Sequence, residues 1–571
     1  MNNVRLLSAR CPRRSPFARY VHARKAHLSL WHPPTFQNEA VKSYAKGSPE
    51  RTEITNAISK LKAQRPVKIP ISAGGRIVND KASLKQENPS KHAQIVAEYA
   101  SANPEDVNIC IDASLKAKPA WEKLPFEDRA AIFLRAAELI PGKYRQDLNA
   151  ATMLGQGKNI YQAEIDAAVE TVDFIRYYIQ QCFKLYAQQP EVHTPGTWNK
   201  LLYRPLEGFV YAIAPFNFTA LAGTLVVPAL LLGNVVVWKP SDYALHASWV
   251  LYRILLEAGL PEDVLKFVPG DPVTVTDTVL KRPELGGVSY IGSTAVFKEL
   301  LGKIGRATAN GTYRSYPRVV GETGGKNFHL VHQSADIRNA AINTIRGAFE
   351  YQGQKCSATS RAYVAESIWP EFRKILVQET EKLQVGDVNQ YDNFINPVIH
   401  RRSFEKLNDC MERAKNDPDL ELVTGGKTDM SEGYFVHPTV YKTTKPNHEY
   451  MEKELFGPLL TVYVYPDDKF SEVLRLIDST SAYALTGSVF AKDQYASREA
   501  QEVLRHSCGM LYLNTKCTGS IVGQQPFGGS RGSGTNDKTG TVGLLQRFTC
   551  VQTIKEEFDL ADEVIYPSNK I

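Results

Sequence analysis

Between Gly208 and Trp238 the chain carries no charged residue. A run of that length could cross a membrane as a helix. Here, however, Pro215, Asn217, Pro228, Gly233 and Asn234 interrupt it. The punctuation instead predicts a strand at 209–214, a turn at 215–217, a helix over about 219–232 and a strand at 235–238. Strands that are apolar without alternation are covered on both faces, as in a parallel sheet. The run is therefore a buried βαβ unit, and the rest of the chain must supply the strands and helices that surround it.

The following residues keep that rhythm. Helices are predicted at 247–258, 274–280 and 295–304, and strands at 265–268, 287–291 and 318–320. Upstream, 127–140 and 164–181 read as long helices. Downstream a second set begins: helices at 337–351, 369–383 and 472–479, and strands at 362–364, 461–465 and 487–491. Alternating strands and helices define an α/β chain with doubly wound parallel sheets. At 571 residues, two such domains are expected.

Charge excludes one class of partner. There are 68 lysines and arginines against 61 acids. Seven of the basic residues (Arg5, Arg10, Arg13, Arg14, Arg19, Arg24 and Lys25) precede the first acid, Glu39. The remaining body is neutral, so bulk charge gives no support to nucleic-acid binding. Residues 1–25, rich in Arg, with serines and no acids, have the composition of a mitochondrial presequence. The eight cysteines form no C-x-x-C and have no histidines at zinc spacing, so no metal is expected.

In open parallel sheets ligands bind beyond the carboxyl ends of the strands. The residues after five predicted strands are Pro215-Phe216-Asn217-Phe218, Lys239-Pro240-Ser241-Asp242, Pro269-Gly270-Asp271, Gly292-Ser293 and Glu322-Thr323-Gly324-Gly325-Lys326. Together they form one crevice of groups suited to phosphate, ribose or developing charge. Each has a structural rival: Lys239 as a surface lysine, Ser293 as a helix cap, Gly324-Gly325 as a turn. Cys356, in Gly353-Gln354-Lys355-Cys356-Ser357, reads either as a nucleophile whose thiolate Lys355 favours or as a small buried apolar residue.

These segments, with Glu454-Leu455-Phe456-Gly457-Pro458 and Pro526-Phe527-Gly528-Gly529, resemble the aldehyde dehydrogenase superfamily in order and spacing over about residues 40–570. Phe349-Glu350-Tyr351-Gln352-Gly353-Gln354-Lys355-Cys356-Ser357-Ala358 and Thr518-Gly519-Ser520-Ile521-Val522-Gly523 resemble the branch that oxidises L-glutamate γ-semialdehyde in proline breakdown. The resemblance implies Cys356 as nucleophile, Asn217 as oxyanion donor and Glu322 as general base. It implies NAD held by Ala214, Pro215, Phe216, Lys239, Ser241, Gly292, Ser293, Glu454 and Phe456. Asp242 stands where many members carry Glu, which implies NAD in preference to NADP. Ser357, Gly519 and Ser520 would hold the substrate's α-carboxylate end, with Phe218 and Phe527 walling its aliphatic middle. The resemblance also implies a dinucleotide-binding domain (26–189 and 212–321), a catalytic domain (322–539) and a small β flap (190–211 and 540–571) that pairs subunits into a homodimer or larger homo-oligomer. The basic leader suits a matrix enzyme with no membrane span. Rival readings are another substrate such as succinate semialdehyde, a CoA-acylating relative, and a non-catalytic scaffold.

Overall fold

The charge-free run folds as strand Phe209–Ile213, helix Thr219–Leu231 and strand Val236–Lys239. The helix is buried nearly all round, which is why its sequence shows no polar stripe. The coordinates are a computed structural model that describes residues 32–64, 66–73, 76–77 and 83–570. The presequence expected at 1–25 lies outside them. The elements below belong to one unit, Phe36–Ile571.

Five parallel strands form the first sheet, in spatial order Arg318–Glu322, Leu285–Ile291, Phe209–Ile213, Val236–Lys239 and Leu265–Phe267. Strand order reverses between Phe209–Ile213 and Leu285–Ile291, so their trailing loops, at 214–218 and 292–293, flank the switch point. The second sheet has seven strands, ordered Leu420–Thr424, Thr439–Thr443, Leu459–Tyr465, Thr359–Ala365, Asn327–Val331, Thr486–Phe490 and Met510–Leu513. All its pairings are parallel except the edge strand Leu420–Thr424, which runs antiparallel. Each sheet has its own apolar core. The chain passes from one sheet to the other through Thr323–Lys326, directly after Glu322.

Three features depart from the sequence reading. The helix expected at 164–181 is a π-helix over Glu164–Glu170 continued by an α-helix over Thr171–Tyr186. An unforeseen antiparallel pair, Ser83–Asn88 with Lys91–Ala100, is extended by Val67–Ile69. Within the segments expected to form the flap, Phe209–Tyr211 sit in the first sheet, and Leu544, Leu545 and Phe548 are buried in its core. The ladder itself joins Thr197–Pro205 to Thr549–Glu557, antiparallel, from Thr549 opposite Pro205 to Glu557 opposite Thr197.

Candidate active site

Helix Ile337–Phe349 ends in a turn whose backbone turns left-handed at three consecutive residues: Tyr351 (φ 50°), Gln352 (φ 54°) and Gly353 (φ 65°). Such angles cost about 1–3 kcal/mol at each non-glycine residue, so surrounding contacts must impose them. They do. Tyr351 Oη donates to the Gln156 carbonyl at 3.0 Å, and Gln352 Nε2 donates to the carbonyls of Gly157 (2.9 Å) and Pro397 (2.8 Å). A Cβ on Gly353 would collide with the Gly457 carbonyl oxygen. The turn delivers Cys356, half-buried, with its carbonyl oxygen accepting from Asn327 Nδ2 at 2.7 Å.

Cys356 lines a cavity together with Ser357, Gly519, Ser520, Phe218 and Phe527. The structure thus brings five residues expected at the substrate to the expected nucleophile. Ser357 Oγ lies 2.7 Å from Thr518 Oγ1, tying the cysteine loop to the 518–520 turn. Four charged groups share the cavity: Lys355, which the sequence set beside the nucleophile, and Glu170, Glu350 and Lys516, to which it gave no role. Glu170 arrives on the π-helix. Burial, aided by Asp166, pushes its carboxyl up to about 8. Glu350 binds Lys355 (3.0 Å) and Lys516 (2.6 Å). Burial pushes the Glu350 carboxyl up, but the two lysines outweigh it and hold the group at about 2.

Asn217 and Glu322 approach the cysteine loop from beyond the residues that line this cavity. Asn217 is buried, and its Nδ2 donates to the Gln354 carbonyl at 3.1 Å, two residues before Cys356. One amide hydrogen is thereby committed and the second is left for another acceptor. Glu322 is buried at the end of its strand, where Oε2 accepts from the Gly529 N–H at 3.3 Å. Burial raises its carboxyl well above the usual range. Glu454 accepts from the Gly325 N–H at 2.8 Å and is raised by burial to about 7. Burial, then the charges of Glu454 and Glu322, push the Cys356 thiol up to about 12. The expected help from Lys355 is a misreading: its ammonium turns to Glu350, and the charges acting on the thiol are acidic ones.

Most of the remaining expected residues sit at the carboxyl ends of the first sheet. Ala214 N donates to the Lys239 carbonyl at 3.1 Å, joining two trailing loops. Lys239 is buried, and its Nζ donates to Asp242 Oδ1 at 2.9 Å. Ser241 opens the short turn Asp242–Ala244. Gly292 precedes Ser293, which caps helix Thr294–Ala309 by accepting from Val296 N at 3.3 Å. Val296 is 51% exposed, so this helix start is open to a ligand. From the second sheet come Glu454 and Phe456, the latter with its ring edge-on to Phe216 at 5.8 Å; Pro215 lies in the same Ala214–Phe216 loop. An open helix start suits a diphosphate, a buried ammonium suits ribose hydroxyls, and paired aromatic rings suit a flat heterocycle, so the donor set fits a dinucleotide. Among the described residues, no group of three His, Cys, Asp or Glu side chains could hold a metal, and no helix is long and apolar enough to span a membrane.

A strained cysteine loop wedged between a doubly wound sheet with a dinucleotide-type crevice and a second α/β sheet is the build of an aldehyde oxidoreductase. The chain belongs to the aldehyde dehydrogenase family, whose profile matches residues 77–554. It is similar to the mitochondrial delta-1-pyrroline-5-carboxylate dehydrogenase of Emericella nidulans, 52% identical over 548 residues, covering 95% of this chain and 96% of that one. The mitochondrial human enzyme of the same name is 46% identical over 520 residues, covering 91% and 92%. Among solved structures, the delta-pyrroline-5-carboxylate dehydrogenase of Mycobacterium tuberculosis bound with NAD matches with a TM-score of 0.91 at 44% identity, covering 95% of this chain and 100% of that one.

Proposed function

We propose that this protein oxidises L-glutamate γ-semialdehyde, the open form of 1-pyrroline-5-carboxylate, to L-glutamate with NAD, as a homo-oligomer of the mitochondrial matrix. The names of its relatives and the NAD bound to the Mycobacterium enzyme support this reading. The observation that carries it is the shared cavity: a thiol sits one residue from a hydroxyl that is itself tied to a Gly-Ser turn, between two aromatic walls.

The Cys356 thiolate attacks the aldehyde carbon, and a C–S bond forms as the carbonyl oxygen becomes an oxyanion. The free amide hydrogen of Asn217 and the Cys356 N–H hold that oxygen; one such donor is worth about 3–4 kcal/mol of barrier. NAD, when bound, supplies the acceptor for the hydride that leaves this carbon, after which a thioester remains on Cys356. Glu322 takes a proton from water, the water oxygen adds to the thioester carbon, and the C–S bond breaks to give the γ-carboxylate and the thiolate. That step resolves the thioester with water rather than a thiol, which favours hydrolysis over CoA acylation.

Ser357, Gly519 and Ser520 donate to the α-carboxylate, Phe218 and Phe527 flank the methylene chain, and Glu170 faces the α-ammonium, whose charge draws its raised carboxyl to the ionised form. The test is NADH formation from 1-pyrroline-5-carboxylate, with succinate semialdehyde and NADP as comparisons. We expect preference for the pyrroline compound and NAD, and loss of turnover in Cys356→Ser. Preference for succinate semialdehyde, or unchanged turnover in Cys356→Ser, would overturn the reading.

A further inference from the structure

Glu322 has a neighbour, Lys538, to which neither the sequence nor the mechanism above gives a role. Lys538 is half-buried, and its Nζ donates to two carbonyl oxygens, those of Gly528 and Gly509, each at 2.7 Å. The Gly528 carbonyl belongs to the same peptide group as the Gly529 N–H, and that N–H donates to Glu322 Oε2. A cation therefore pulls on one end of a peptide dipole while the carboxylate sits on the other. Hydrogen bonds in series polarise one another, and a charged end makes the effect larger.

The two segments are held together for this contact. Thr539 N donates to the Phe527 carbonyl at 2.7 Å, joining the two, and Thr541 Oγ1 donates to the Lys538 carbonyl at 2.7 Å within the second. A Cβ on Gly528 would sit 3.0 Å from Glu322 Oε1 and 3.3 Å from Lys538 N, so carboxylate and lysine backbone close on that glycine from two sides. Lys538 itself sits at a left-handed φ of 50°.

We propose that Lys538 is a positioning residue that orients Glu322 and favours its ionised form through the shared Gly528–Gly529 peptide group. The proposal rests on the reading of Glu322 as general base. The charged and titratable groups acting on Glu322 are Lys538, which favours ionisation, Asp537, which opposes it, and the Cys356 thiol. Asp537 lies 3.4 Å from Arg547 Nε, which tempers its influence. Lys538 in turn faces Glu322 and the buried Cys508. Burial alone would leave Glu322 a neutral acid, unable to take a proton from water. Lys538 and the Gly529 N–H are what oppose that burial.

The experiment uses the full chain with Lys538→Met, Lys538→Gln, Lys538→Arg and Glu322→Gln. It measures the pre-steady-state NADH burst and the steady rate from 1-pyrroline-5-carboxylate across pH. In Lys538→Met the burst amplitude stays, because attack and hydride loss precede the step that needs Glu322. The acid limb of the steady rate moves up by about 1 pH unit, with a roughly 10-fold loss below it. Lys538→Gln, which keeps a hydrogen bond but no charge, moves the limb the same way, and Lys538→Arg restores it. An unshifted limb in both neutral variants, or a burst that falls in step with the steady rate, overturns the proposal. If Glu322→Gln keeps full steady turnover, the base assignment fails and takes this one with it. If Glu322→Gln stalls after the burst while the lysine variants behave as wild type, only the role of Lys538 is lost.

Discussion

Cys356 rests as a thiol, because its surroundings disfavour charge: burial first, then Glu454 and Glu322. Each carboxylate opposes thiolate formation only while ionised, so neutralising either lowers the thiol pKa. We expect Glu454→Gln and Glu322→Gln to speed alkylation of Cys356 by iodoacetamide at mildly alkaline pH by about 3–10-fold; equal or slower labelling would show that these charges do not act on the sulfur. Glu170 gives a second prediction at this scale. If it pairs the α-ammonium, Glu170→Ala should raise KM for the pyrroline substrate by about 10-fold or more while leaving that for succinate semialdehyde, which lacks the ammonium, nearly unchanged. Equal effects on both substrates would remove Glu170 from that role. These residues also mark what the sequence could not show. Cys356 and Glu322 are legible because glycine-containing segments frame them, and Asn217 because its turn interrupts a charge-free run; the role of each follows from the family resemblance. Glu170, Glu350 and Lys516 carry no local signature and matter only because distant segments meet at one cavity. Lys355 differs from its expected role because sequence adjacency says nothing about where a side chain turns, and its ammonium turns to Glu350.

The π-helix Glu164–Glu170 brings two acids to two tasks: Glu170 to the cavity and Asp166 to a buried pair. Asp166 accepts from Lys158 Nζ at 2.7 Å and from the N–H groups of Thr219 (2.9 Å) and Ala220 (2.8 Å), so it also caps the helix that follows Phe218. Lys158 is fully buried, its ammonium 3.9 Å from the Phe218 ring centroid and 4.4 Å from that of Tyr351. One cation thus supports the aromatic wall and the strained turn before Cys356. Removing a single partner from a buried pair leaves an uncompensated charge at a cost of about 3–5 kcal/mol. Lys158→Met should therefore lower the Tm by several degrees and raise KM; an unchanged Tm would mean that Asp166 is satisfied by the two N–H groups alone. The same element shows the limit of periodicity. A π turn and an α turn carry similar apolar spacing over seven residues, so 164–181 could only read as one helix. The parallel strands were legible because burial on both faces makes them continuously apolar. The Ser83–Asn88 and Lys91–Ala100 pair escaped notice because lysines, glutamines and glutamates run through it without a clean alternation.

At the scale of the molecule, two sheets account for the catalytic build, and the ladder Thr197–Pro205 with Thr549–Glu557 stands apart from both. A two-stranded ribbon is marginal in water unless something packs on it. One face leans on the body, where Tyr203 meets Tyr186 edge-on at 5.8 Å and its hydroxyl donates to the Gln188 carbonyl. The register places Trp198, Leu202 and Ile554 on the opposite face, and they are 52%, 44% and 37% exposed. Beyond the ladder, Phe558, Leu560, Val564 and Ile565 are exposed as well. Exposed apolar side chains gathered on one ribbon face, here around the Lys200–Glu556 ion pair, suit an interface, and a neutral body offers no net repulsion to a second copy. A second copy laid on this face would bury the ribbon and supply the homo-oligomer proposed above. Trp198→Glu combined with Ile554→Glu should then convert the protein to monomer in sedimentation at micromolar concentration, because each charge would be buried without a partner. A wild-type protein that sediments as a monomer, or a double variant that assembles unchanged, would leave the exposed ribbon without that role.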